Sequence, residues 1–280
     1  MTIKLSLLDQ DRLIFLIYII LIALPFIYVV GLPLPISDLT KTFYNTIESV
    51  PEGGVILWVT DIGFALWTEI GSGEIAIYKH LFTLARTKNV KLIFASTYGP
   101  DGAYLTDMII KKYIIPEGFA EGLTYGENWV QLGWLPGWEA SLAALVRDIH
   151  KAAPTDYFGT PLGQLPMMKN IRSVDDLDLL GWSGYYVDEY ARQWTGWGKP
   201  VIVNLSATTV AMAKPWFVKG LITAYLNGQR GNAEYEALTG YKGFATSAMD
   251  AQSLAHLYAI ILLLIPNIHY IWTRKIKGRS

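Results

Sequence analysis

With 280 residues, 52% of them hydrophobic and only 17% charged, the chain is more apolar than a soluble domain of this length needs to be. A formal charge of −1, from 23 basic and 24 acidic residues, excludes a broad nucleic-acid-binding surface and a charged disordered tail. The absence of cysteine removes disulfides, iron–sulfur clusters and thiolate chemistry while leaving the compartment open.

The first apolar element covers residues 13–30, LIFLIYIILIALPFIYVV, which carry no charge. As a helix rising 1.5 Å per residue it extends about 27 Å, close to the roughly 30 Å hydrocarbon core of a bilayer. The run exceeds the apolar stretch of a secretory leader, and GLPLPISD offers no small-residue cleavage site, so the reading is a retained anchor with Pro25 inside it.

After a Pro/Gly connector at residues 31–35, VILWVT at 55–60 reads as a buried strand, set off by Pro51-Glu52-Gly53-Gly54 and by Asp61. Residues 73–88 place Ile75, Tyr78, Leu81, Phe82 and Ala85 at helical spacing, with Ser72 as the cap. A second strand, VKLIFA at 90–95, precedes a helix that begins at Asp101. A strand at 128–132 and a helix at 138–151 repeat the alternation, and further strands are expected at 176–182 and 200–205. Near-continuous apolar strands suit a sheet covered on both faces, so the fold class expected is α/β, a Rossmann-like doubly wound sheet over residues 36–213. Strand order is not readable.

From Pro215, read as a first-turn residue, an amphipathic helix is expected to residue 226. A turn at 227–231 and a helical piece at 233–238 follow, so that 214–250 forms a membrane-proximal segment. Trp216 and Phe217 are candidates for packing on the domain, lying in the interface or contacting a partner.

A second crossing is read at 254–272, LAHLYAIILLLIPNIHYIW, with Tyr270 and Trp272 placed for an interfacial belt. His256 and His269 are read as interfacial, and Asn267 as bonded to backbone or a neighbouring helix, in preference to an intramembrane ligand or proton site. Lys4 and Arg12 precede the first span; Arg274, Lys275, Lys277 and Arg279 follow the second, and only Lys41 and Lys242 lie close on the other side. That bias predicts a two-pass protein of the cell membrane, termini cytoplasmic and main domain extracytoplasmic. Segments 1–35 and 251–280 are the membrane parts.

NGQRGNAEYEAL at 227–238, MDAQSLAHL at 249–257 and YGENWVQLGWLPG at 125–137 resemble shared stretches of a group of prokaryotic two-span membrane proteins with an α/β domain. The resemblance implies the architecture and no activity, and it favours Arg230, Glu234 and Glu236 as partner-contact candidates.

Catalytic signals are sparse. Gly71-Ser72-Gly73-Glu74-Ile75-Ala76 fits G-x-G-x-x-A, yet it starts ten residues after the first strand and not in the turn leaving it, so a loop and helix cap explain it better than a dinucleotide. Neither a Walker sequence nor H-E-x-x-H occurs, and four histidines without carboxylate spacing make a poor metal cage, so no cofactor or metal is expected. Ser183 lacks the second glycine of a nucleophile elbow, because residue 185 is Tyr. The Asn204-Leu205-Ser206 sequon lies in an apolar strand, which argues against glycosylation.

Open α/β sheets bind ligands beyond their carboxyl strand ends, where Asp61, Ser96, Ser183, Ser206 and Thr208 are expected. The function expected is therefore a non-enzymatic, membrane-anchored component that binds a small polar ligand or serves as a scaffold. Its partners would be the lipid bilayer and a membrane protein or second copy, with no nucleic acid. A hydrolase using a strand-end serine is the alternative.

Overall fold

The computed structural model describes residues 7–277; Lys4 and Arg279 of the charge argument lie outside them. Two compact units are present, Leu34–Ala245 and the described parts of Met1–Pro33 with Thr246–Ser280.

The larger unit runs α2 (Asp38–Glu48), β1 (Val55–Asp61), α3 (Phe64–Lys88), β2 (Lys91–Ser96) and α4 (Pro100–Ile109), the last continued by a π-helical turn over Ile110–Ile114. It goes on through β3 (Trp129–Trp134), α5 (Glu139–Arg147), α6 (Ile149–Ala152), β4 (Leu179–Gly184), α7 (Asp188–Trp194), β5 (Val201–Leu205), α8 (Val210–Val218), β6 (Ala224–Asn227) and α9 (Gly228–Thr239). The six strands are all parallel in the order β3-β2-β1-β4-β5-β6. This is the Rossmann-like α/β arrangement, with its topological switch between β1 and β4.

Strand parity builds the two covered faces. Val55, Leu57 and Val59 join Leu180, Trp182 and Val203 in a core completed by Leu142, Leu145, Tyr190 and Trp194 from α5 and α7. Ile56 and Trp58 point the other way, into a core with Phe43 of α2, Ile77 and Leu81 of α3, and Tyr235 of α9. Both faces are dry, which is why the strands read as continuous apolar runs.

Three sequence expectations are corrected. Residues 214–250 do not form a separate segment: the expected long helix ends as α8 at Val218, Ala224–Asn227 becomes the sixth strand, and α9 packs on α3. Pro215 lies inside α8, not in its first turn. The glycines at 71 and 73 do not break or precede a helix but sit in the middle of α3. A Cβ at Gly71 would come within 2.5 Å of the Trp67 indole, and one at Gly73 within 1.5 Å of Asn232 Oδ1 on α9. Both glycines are therefore packing devices, one seating an indole on the helix and the other letting α9 approach.

In the smaller unit, α1 (Leu7–Ile27) and the body of α10 (Phe244–Lys277) meet through side chains: the Tyr258 hydroxyl donates to Ile14 O at 3.0 Å, and Tyr258 stacks on Tyr18. Asp250 accepts from the amides of Gly31 and Leu32 at 2.7 and 2.9 Å, ordering the chain as it leaves α1. Phe244–Arg274 is long and apolar enough to cross a membrane, and among the described residues it is the one helix that meets that test. Asn267 Nδ2 donates to Leu263 O within its own helix, the backbone partner expected for it.

Candidate functional site

The carboxyl edge of the sheet brings Asp61 and Gly184 side by side at the β1/β4 switch. A Cβ at Gly184 would lie 2.8 Å from Asp61 O, so glycine permits this approach. The Asp61 carboxylate is buried and accepts from Ser96 Oγ at 2.9 Å, Thr97 N at 2.7 Å, Thr97 Oγ1 at 2.6 Å and Tyr98 N at 3.1 Å, and also from the Tyr190 hydroxyl. Five donors fill its lone pairs. Asp61 thus pins the loop after β2 to β1, leaving little capacity for a ligand. A small cavity of about 160 Å³ beside it is lined by Asp61, Ser96, Gly63 and residues 98–102.

The five expected ligand residues do not converge. Asp61 and Ser96 share that small cavity, and the single proton of the Ser96 hydroxyl is shared between Asp61 and Gly99 O, 2.7 Å away. Ser183 has the parity of Leu179 and points to the opposite face from Trp182, where its hydroxyl donates to Glu74 in the dry core. Ser206 donates to Glu69 Oε2 at 2.8 Å and shares a hydrogen bond with Thr208 at 2.9 Å. Each serine is thus bonded to a carboxylate, and no histidine is among its partners. His150 is held by the carbonyls of Met168 and Ile171, and His80 lies between Tyr235 and Glu48. Among the described residues no three His, Asp or Glu side chains gather as a metal-ligand group.

Glu74 is the polar centre missed from the sequence. Its carboxyl accepts from Trp58 Nε1 at 2.8 Å and Thr60 Oγ1 at 2.9 Å as well as from Ser183, and burial pushes its pKa above the ordinary glutamate value. The available signal was Glu74 standing on the apolar stripe of Ile70, Ile77 and Leu81, where a charge has no solvent to face.

The partner-contact candidates are also mostly internal. Glu234 accepts from Ser37 N, Ser37 Oγ, Thr40 Oγ1 and Arg230 Nε, at 2.6–3.0 Å. Glu236 is fully buried and accepts from the Ser72 hydroxyl and from the amides of Gly243 and Ala245 at the start of α10. The two carboxylates, two residues apart and so on opposite sides of α9, hold the chain near the two ends of the larger unit, and are not exposed for a partner. Trp216 donates to Asp188 at 2.8 Å and Phe217 packs on Tyr225, so both pack on the domain.

A larger cavity, about 460 Å³, lies on the outer flank of α3. Thr68, Ser72, Ile75 and Ala76 form its floor; Trp67, Tyr113, Tyr241 and Phe244 supply aromatic walls; Lys79, Glu117 and Lys242 are its charged groups. Lys79 is 14% exposed in its side chain, pairs with Glu117 at 2.6 Å, and has the rings of Phe119 and Tyr241 at 5.5 and 5.7 Å. The volume and the mixture of apolar wall with few polar groups are those of small-molecule sites.

Fold and site define an α/β domain carrying an aromatic-walled cavity, in a chain that also has an apolar helix long enough to span a bilayer. No family model, curated protein or solved structure matches this chain.

Proposed function

We propose that the protein is a non-enzymatic component anchored in the cell membrane by α1 and α10, and that its α/β domain binds a small ligand in the cavity against α3. The observation carrying this reading is the cavity itself, about 460 Å³ with four aromatic walls. The chemistry-bearing hydroxyls at the strand ends favour binding over hydrolysis, because Ser96, Ser183 and Ser206 are bonded to three different carboxylates, Asp61, Glu74 and Glu69, and none of them has a histidine beside it as in a hydrolase triad. In this reading both termini face the cytoplasm and the domain lies outside, in keeping with the basic flanks of the two apolar segments. The architecture shared with the two-span prokaryotic group is part of the same proposal.

The test is a small-molecule thermal-shift screen on the full chain in nanodiscs, run beside Ile75→Trp, which puts an indole into the cavity. Ligands that bind there raise Tm of the wild type and not of the variant, since a ligand selective for the folded state stabilises it by mass action. Equal shifts in both proteins, or none in either, overturn the cavity as the site.

A further inference from the structure

The charges around the α3 cavity define its ligand more narrowly. Lys79 and Glu117 neutralise each other at 2.6 Å, with Lys79 boxed by Phe119 and Tyr241. Lys242, also on the wall, is exposed and forms no ion pair among the described residues. Glu236 stands behind Ser72 and Gly243 but does not line the cavity, and its charge is met by the Ser72 hydroxyl and two amides at the start of α10. The lining therefore carries one surplus positive charge beside apolar walls. The aromatic side is preset: Trp67 occupies space that only a glycine at 71 leaves open, with any Cβ there 2.5 Å from the indole.

We propose that this cavity takes a water-soluble monocarboxylate whose apolar body is about the size of one aromatic ring, the body lying among Trp67, Tyr113 and Tyr241 and the carboxylate meeting Lys242. The inference rests on the reading of the α3 cavity as the ligand site. A single anion matches the surplus charge; a cation would add to it beside Lys242, and a neutral molecule would leave Lys242 without a counter-charge.

Isothermal titration of the full chain in nanodiscs of zwitterionic lipid tests this with three probes of equal shape: 4-phenylbutyrate, 4-phenylbutan-1-ol and 4-phenylbutylamine. The acid is expected to bind at least about threefold tighter than the alcohol, the scale of one partly solvated charge-assisted contact, and the amine most weakly. Lys242→Gln, at an exposed position where folding is not at risk, brings the acid down to the affinity of the alcohol; Ile75→Trp removes binding of all three. If the alcohol or amine binds as tightly as the acid and Ile75→Trp still abolishes it, the charge assignment is overturned while the cavity stands. If none of the three binds, this proposal fails; the cavity reading itself falls only if the broader screen is also empty.

Discussion

Ser37 Oγ donates to Glu234 Oε2 at 2.6 Å, joining the N-cap of α2 to α9 across 197 residues of sequence. The same oxygen accepts from Ser37 N and Thr40 Oγ1, so one buried carboxylate satisfies donors that a helix start otherwise leaves open. Glu234→Ala should lower stability by about 2–3 kcal/mol at pH 7, the scale of hydrogen bonds to a charged group with buried donors left unpaired. Burial alone would raise the Glu234 pKa, but the bonds from Ser37, Thr40 and Arg230 outweigh it and hold the value below the ordinary 4.5. The folded state then binds its proton less readily than the unfolded chain. The contribution is full above 4.5 and is lost as pH falls through the lower folded value. Urea melts of wild type and variant at several pH values should show the gap narrowing only on the acid side of 4.5; a gap independent of pH would place its origin elsewhere.

The contact between α3 and α9 gives a second expectation. Gly73→Ala puts a methyl group 1.5 Å from Asn232 Oδ1 and 2.6 Å from Asn232 Cβ, so the helices must separate or repack. Overpacking costs about 1–3 kcal/mol, against which the better helix propensity of alanine returns about 1. A net loss measured by denaturant melts should be largely recovered in Gly73→Ala/Asn232→Gly, which removes the whole opposing side chain. Independent, additive effects of the two changes would rule out the contact as the cause.

These glycines also show where sequence reading reaches its limit. The strand cores were legible because β1, β2 and β5 are apolar over most of their length and the flanking sequence breaks at Gly, Pro or Asp. In sequence Gly71 and Gly73 read as a loop and helix cap; what they do depends on Trp67 and on Asn232, the latter 159 residues from Gly73, so it appears only with the packing. The sixth strand, Ala224–Asn227, is four residues long and too short to interrupt a helical pattern. Ser96, Ser183 and Ser206 were placed correctly near strand ends, but their carboxylate partners include Glu69 and Glu74 on α3, and no local spacing reveals that pairing. The α3 cavity is assembled from residues 67–79, 113–117 and 241–244, and the one motif match among them, G-x-G-x-x-A at 71–76, points to a dinucleotide turn and not to this cavity.

His80 supplies a pH dependence of separate origin. Its ring stacks on Tyr44 and is held between the Tyr235 hydroxyl at 2.6 Å and Glu48 at 2.9 Å, with Lys88 on the far side of Glu48. Burial drives its pKa down, and this outweighs the favourable pull of Glu48. The unfolded chain therefore takes up the proton first. Stability is full above the ordinary value of 6.5 and falls as pH drops from there toward the folded value. His80→Gln should flatten the stability profile between about pH 7 and 5, read by thermal or urea melts. A wild type that gains stability on acidification through this range would mean the ring is held as a cation.

The lack of cysteine makes the membrane topology directly measurable, since any introduced thiol is the only one in the chain. Thr87 is exposed on α3, and Thr2 and Ser280 lie near the two ends of the sequence. In intact cells an impermeant maleimide should label the Thr87→Cys variant, while Thr2→Cys and Ser280→Cys should react only after permeabilisation. That pattern requires an even number of crossings between the two ends, and with two apolar helices it assigns one to each. Labelling of Thr2→Cys together with Thr87→Cys from outside would leave α10 as the sole crossing and make α1 an interfacial or packed helix. Labelling of Ser280→Cys but not Thr87→Cys in intact cells would reverse the charge-based orientation, and the monocarboxylate would then have to be sought in the cytosol.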